Sequence, residues 1–297
     1  MIYLLLCIAC SACIFLLFRA FKGWGAHTLQ AIVINYGVAA LLGWTLSGGF
    51  STLKMAWGTP WVNTAMAVGI LFIYLFHLIA RSTQELGVTV TSIAAKLSMV
   101  IPVAVFLVFD PTDEPALTKL LAVGLAVPAV VLSSWKNEKQ TSNRSWIIPL
   151  IIFLGGGLID LMFGWYSGPE HMTTIEFRYL FATIPFSVAF VIGLCLLLKA
   201  KLRPVPTNTD YNRTITWIGG IILGVINFGS LYLLLEAFDK LPLDRSAIMP
   251  ITNLGIVLVS SLMAIYAFKE KLSTTNWMGL LLGALSIGLL LAPTWIN

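Results

Sequence analysis

Ten apolar runs, most of them near or above the roughly 20 residues a helix needs to cross a bilayer, dominate this chain. They fall at 2–18, 27–47, 60–80, 87–109, 115–134, 145–166, 174–198, 214–236, 243–267 and 272–292. Lipid offers no partner to backbone N–H and C=O groups, so each run must satisfy its own as a helix. Only 10% of the 297 residues are charged and 58% are hydrophobic. A soluble surface takes about 25% charged residues, which this chain does not have. The segments between runs (SGGFSTLKMAWGTP, DPTDEP, KNEKQTSNR, SGPEHM, KAKLRPVPTNTDYNR, KEK) hold the glycine, proline, asparagine and charge that stop helices. The expected fold is an all-α integral membrane protein with its chemistry within or beside the bilayer.

The first run is read as a span. A cleaved signal peptide carries positive charge before its apolar core, whereas MIYLLLC has none and Arg19 and Lys22 follow it. The side reached after the first, third, fifth, seventh and ninth runs is called side A, and the opposite side is side B. Lysines and arginines concentrate on side A, including Arg19, Lys22, Arg81, Lys136, Lys139, Arg144 and Lys199. The positive-inside rule then makes side A cytoplasmic and puts both termini across the membrane from it. The net charge of +5 is thus a topology signal and does not argue for a nucleic-acid partner. Trp24, Trp57, Trp61, Trp135, Trp146 and Trp295 stand at run ends, where interface anchors belong. Cys7, Cys10 and Cys13 recur every third residue without histidine or carboxylate nearby, and read as packing residues. No metal or cofactor is expected.

The fourth and fifth runs, GVTVTSIAAKLSMVIPVAVFLVF and PALTKLLAVGLAVPAVVLSSW, share a plan with the ninth and tenth. Each pair is a long run, a short charged break, and a glycine-bearing run preceded by Ser or Thr. Ten runs divide into halves at 1–136 and 137–297. Five crossings per half give the halves opposite sense in the membrane, as an inverted repeat. The stretch AFKEKLSTTNWMGLLLGALSIGLLL, residues 267–291, resembles the Phe-x-Glu-x-Leu-Ser, glycine-rich ending of the drug/metabolite transporter superfamily, in particular its EamA-like ten-helix group. Glu270 takes the glutamate position, and Pro102 in LSMVIPVAVFLVF sits where that family's fourth helix often has proline. The first half has DPTDEP where the second has the Glu-x-Leu-Ser turn. The resemblance implies ten transmembrane helices as two inverted five-helix repeats around a central cavity, with the fifth and tenth peripheral. It also implies alternating access by rocking of the halves, and termini in the cytoplasm, opposite to the charge count.

Lys96 lies near the middle of the fourth run, about 15 Å in by helix rise, too deep to snorkel easily. An intramembrane cation marks a functional site by default, here an anion-holding group of the cavity. Asp160 in the sixth run and Arg178 in the seventh are equidistant from Pro169 and would meet at equal depth if the turn is centred there. They are expected to pair, either structurally or as a side-B gate or proton-coupling switch. Asn35, Tyr36, His77, Asn227, Thr252 and Asn253 are candidate lining residues, each alternatively an interhelical hydrogen-bond partner. Gly155, Gly156 and Gly157 suit close packing or a local unwinding, and Glu236 is expected to be solvated.

Phosphate-loop, zinc-protease and serine-hydrolase motifs are absent from the sequence, so no enzyme is expected. The expected function is secondary transport of a small polar solute, anionic or zwitterionic, across a cell inner membrane. Coupled protons or a counter-substrate are candidate partners, in a monomer or homodimer. A flippase for a lipid-linked intermediate, a channel and an intramembrane enzyme are the alternatives.

Overall fold

The computed structural model describes residues 1–109, 117–135, 146–166, 171, 174–202, 211–241 and 245–291. Their regular structure is all helical: α1 (Ile2–Gly23), α2 (Thr28–Leu46), α3 (Gly49–Ala56), α4 (Pro60–Glu85), α5 (Val88–Leu97), α6 (Val100–Phe109), α7 (Leu117–Ser134), α8 (Ile147–Tyr166), α9 (Ile175–Leu202), α10 (Arg213–Lys240), α11 (Arg245–Phe268) and α12 (Thr274–Leu291). Among the described residues nine spans are long and apolar enough to cross a membrane, α5 and most of α6 counting as one, and α12 is a shorter apolar helix. The protein is therefore a multi-pass membrane protein. DPTDEP and Trp295 lie outside the described residues.

Two elements depart from the run-by-run reading. The first break contains α3, which is too short to span and exposes Phe50 and Met55, as interfacial segments do. The fourth run is two half-helices separated by Ser98 and Met99. Proline is the cause: Pro102 has no N–H to give the Ser98 carbonyl four residues back, and its ring crowds that carbonyl. Ile101 N–H bonds to the Ser98 carbonyl instead, at 2.9 Å, a tighter turn that closes the gap.

Glycines set how closely the other spans approach. A Cβ on Gly220 of α10 would meet the Ala31 carbonyl of α2 at 2.9 Å, and one on Gly224 would meet the Asn35 carbonyl at 2.8 Å. This is small-residue packing, backbone against backbone. On α4, Gly69 does the same against the Pro185 carbonyl of α9. Replacing Gly220 with leucine should force α2 and α10 apart and cost about 1–3 kcal/mol or more. A fall in melting temperature of purified protein against wild type checks this.

The triplet Gly155–Gly157 lies inside an unbroken α8 and serves packing rather than unwinding. Gly156 faces Ser98, with a would-be Cβ 2.9 Å from its hydroxyl, and Gly157 faces the Ile101 side chain. The smooth helix is thus pressed onto the broken one. One large core draws buried residues from every helix except α3. A smaller cluster gathers Trp61, Phe181 and Ile184, so Trp61 is a buried packing residue and no interface anchor. Trp24, Trp57 and Trp135 are exposed as anchors should be.

Candidate functional site

The break between α5 and α6 brings together two charged residues that lie within spans, Lys96 and Asp160. Lys96 precedes it by two residues and is half-buried, open enough for a water-sized solute to touch. Among the described residues Lys96 makes no hydrogen bond and no ion pair. Its principal counter-charge is Asp160 on α8, which it feels without contact. An ammonium group near mid-span, with a carboxylate close but not bonded, marks a candidate functional site.

Asp160 is held by Ser98, whose Oγ lies 2.8 Å from Asp160 Oδ2 and 2.8 Å from the Ala95 carbonyl. A serine hydroxyl has one proton to give. If Asp160 is ionised, Ser98 donates to it. If Asp160 is protonated, it donates to Ser98 and Ser98 donates to Ala95. The same atoms serve both charge states, which suits a group that gains and loses a proton. Asn253 Nδ2 lies 2.9 Å from Met99 Sδ and ties α11 to the break from the opposite side.

The other sequence-predicted residues divide. Asn35 and Asn227 bond each other at 3.1 Å, joining α2 to α10, and are buried. Tyr36 is fully buried and gives its hydroxyl proton to the Phe72 carbonyl at 2.9 Å. Thr252 bonds the Ile248 carbonyl of its own helix. These four are structural partners in this arrangement. His77 does not join them: it lies on the exposed face of α4 with Met66, Ile70, Tyr74 and Arg81. Cys7 donates to the Ser230 carbonyl across the α1–α10 contact.

The expected Asp160–Arg178 pair is not formed. Arg178 bonds Asp239 of α10 at 2.6 Å, while Asp160 is bonded to Ser98 and only feels the Lys96 charge through space. The helix ends explain this. Asp160 lies six residues inside α8 but Arg178 only three inside α9, a depth difference of about 4.5 Å. Glu236 is not solvated either, its side chain being 13% exposed and bonded to Lys240 at 2.6 Å and Tyr179 at 3.2 Å. A double-mutant cycle on stability should find coupling of about 0.5 kcal/mol between Arg178 and Asp239, a partly exposed pair, and none between Arg178 and Asp160. Coupling to Asp160 instead would overturn this assignment.

Sequence reasoning missed Ser98, Asp239 and Glu270's partner. Only the i+4 spacing of Ser98 and Pro102 signalled the break that brings Ser98 to Asp160. Two cavities lie elsewhere, neither of them lined by Lys96 or Asp160. One, about 600 Å³, is an apolar lateral groove along α1 bounded by Leu17, Ile226 and Phe268. The other, about 440 Å³, is a polar recess on side A around Gly87 and Glu270.

No family model matches the chain. It is 24% identical over 291 residues to an uncharacterised protein of Haemophilus influenzae, covering 94% of this chain and 93% of that one. A solved structure, described as the crystal structure of a protein, superposes with a TM-score of 0.57 at 14% identity, covering 100% of this chain and 98% of that one. The first likeness carries no stated activity and the second is one of fold: this multi-pass helical fold has been seen before over its whole length.

Proposed function

We propose that the protein is a secondary transporter of a small anionic or zwitterionic solute, bound at Lys96 and moved by alternating access. The observation that carries this reading is the unpartnered Lys96 ammonium beside a break in its own span. Discontinuous spans at mid-membrane are where transporters place substrate and coupling ions. Lys96 would take a carboxylate or phosphate-like group. Asp160 would take the ammonium of a zwitterion or a coupled proton through its two-state link to Ser98.

The helix pairings support a ten-span inverted repeat that matches α1 to α8, α2 to α9, α4 to α10, α5 with α6 to α11, and α7 to α12. Under that exchange the α2–α10 contact becomes α9–α4, α1–α10 becomes α8–α4, and α1–α11 becomes α8 against α5 and α6, all of which are packed. The α2–α9, α5–α11 and α7–α12 contacts map onto themselves. These pairings suit the EamA-like resemblance with halves near 1–136 and 137–297, and the inner membrane is proposed as the location. Counterflow tests the reading. Liposomes loaded with unlabelled solute should accumulate labelled solute transiently and saturably. Candidate solutes come from a thermal-shift screen of purified protein against anionic and zwitterionic metabolites.

A further inference from the structure

We propose that Arg19 and Glu270 are the two clamps of a gate that closes side A, gripping the tip of the α4–α5 hairpin from α1 and from the turn between α11 and α12. This rests on the carrier reading above. The hairpin turns at Leu86 and Gly87, between the end of α4 and the start of α5. From α1, Arg19 donates to the Gln84 carbonyl at 2.7 Å and the Thr83 carbonyl at 3.4 Å, and Gln84 returns a bond to the Phe18 carbonyl at 3.1 Å. From the turn between α11 and α12, Glu270 accepts from Val88 N–H at 2.6 Å, Thr89 N–H at 3.3 Å and the Thr89 hydroxyl at 3.1 Å.

Each clamp matches the end it grips: a cation on the last carbonyls of α4, and a carboxylate on the first amides of α5. Gly87 makes room for the second. It stands at φ +112°, and a Cβ there would meet Glu270 Oε1 at 2.9 Å. The turn holding Glu270 is fixed in its own right. Lys269 adopts φ 51° to end α11, and Ser273 caps α12 through Asn276, whose amide reaches back to the Ser133 carbonyl of α7. The clamp therefore hangs from the α7–α12 pair, outside the moving hairpin.

The repeat identifies these contacts as a gate and not merely as caps. Several pairs lack a counterpart under the exchange, and two of them meet at this hairpin: α1 packs against α4 and α5, yet the matching pairs α8–α10 and α8–α11 have no comparable contact among the described residues. At side A α1 closes on the hairpin, whereas toward side B α8 stands off α10 and α11 while α9 stays bonded to α10. The polar recess on side A ends at this hairpin tip, as an outer mouth would. The same hairpin carries Lys96 nine residues beyond Gly87, so a shift that frees the tip also moves the solute's ammonium partner.

Thr91 reports the gate: it is fully buried one turn inside Gly87 and bonded to Ser82 at 2.8 Å. A Thr91→Cys reporter would be labelled with a membrane-impermeant maleimide from each face of vesicles, against the parent protein for native cysteines. A Tyr232→Cys reporter, on the stacked Tyr179–Tyr232 flank of side B, is its counterpart. Adding Glu270→Gln should speed labelling at the Thr91 reporter on the order of tenfold, equivalent to about 1.4 kcal/mol of gate closure. It should slow labelling at the Tyr232 reporter. Gly87→Ala should act likewise, by displacing the carboxylate, and Glu270→Asp should fall between. Faster labelling at both reporters, or no change at Thr91, would overturn the gate and leave Glu270 a structural cap. The labelling needs no solute, so a reciprocal response in a protein that shows no saturable uptake would keep the gate and refute only the carrier reading.

Discussion

Lys96→Met should abolish solute transport while leaving a folded, inserted protein. Methionine nearly keeps the length of the side chain and removes a charge that costs about 2.5–3.5 kcal/mol at mid-membrane on insertion scales, so insertion should be at least as good as in wild type. The structure adds a reason to expect a clean result. Lys96 supports no hydrogen bond or ion pair among the described residues, so its removal strands no direct partner. A charge-assisted contact to a bound solute is worth about 1.5–3 kcal/mol, so affinity should fall by roughly ten- to a hundredfold or more. Lys96→Arg should keep partial binding and lose turnover, because a planar fork does not replace a compact ammonium in a fitted site. Uptake by vesicles matched for protein amount checks both. Near-normal saturable uptake by Lys96→Met would reduce Lys96 to a structural charge.

Asp160→Asn should separate exchange from driven transport. The amide keeps the shape of a protonated carboxyl, can donate to Ser98 as that form would, and cannot ionise. The variant should therefore exchange solute for solute. Accumulation driven by a pH gradient should disappear, and the pH dependence of uptake with it, insofar as it arises at Asp160. The charged or titratable neighbours of that carboxyl are Lys96 on α5 and, beyond Lys96, Cys7 on α1. Persistence of gradient-driven accumulation in Asp160→Asn would place coupling elsewhere.

Spans were legible in the sequence because lipid leaves a chain one answer per apolar run, and the described helices other than α3 sit on the ten runs with ends shifted by a few residues. Depth was legible too: Lys96 and Asp160 could both be counted inward from run ends. Azimuth was harder. Arg178 and Asp160 were matched by depth around a turn, but the real helix ends offset them, and the face carrying Arg178 meets α10 and Asp239. His77 had a readable signal, since Met66, Ile70 and Tyr74 share its helical face, but periodicity alone does not separate a lipid-facing stripe from a cavity-facing one. Asn35 and Asn227 show the same ambiguity resolved as a mutual bond between helices. The Glu270 motif was visible as a string. Its physical content, a carboxylate capping a helix that begins 182 residues earlier, exists only in three dimensions.

The arrangement gives a short causal chain. Proline breaks one span, the break presents Lys96 and places Ser98 on Asp160, and the same hairpin ends at the side-A clamps. In the proposed carrier, solute at Lys96, a proton at Asp160 acting through Ser98, and closure at Gly87 would all bear on the same hairpin. The central claim is that this is a carrier with a saturable site at Lys96. Counterflow in liposomes holding the purified protein, with a solute that raises its melting temperature, tests it most directly. The account predicts trans-stimulated, saturable accumulation of label that the Lys96→Met protein does not support. Flux that rises linearly with concentration, follows voltage and gains nothing from solute on the far side would contradict it.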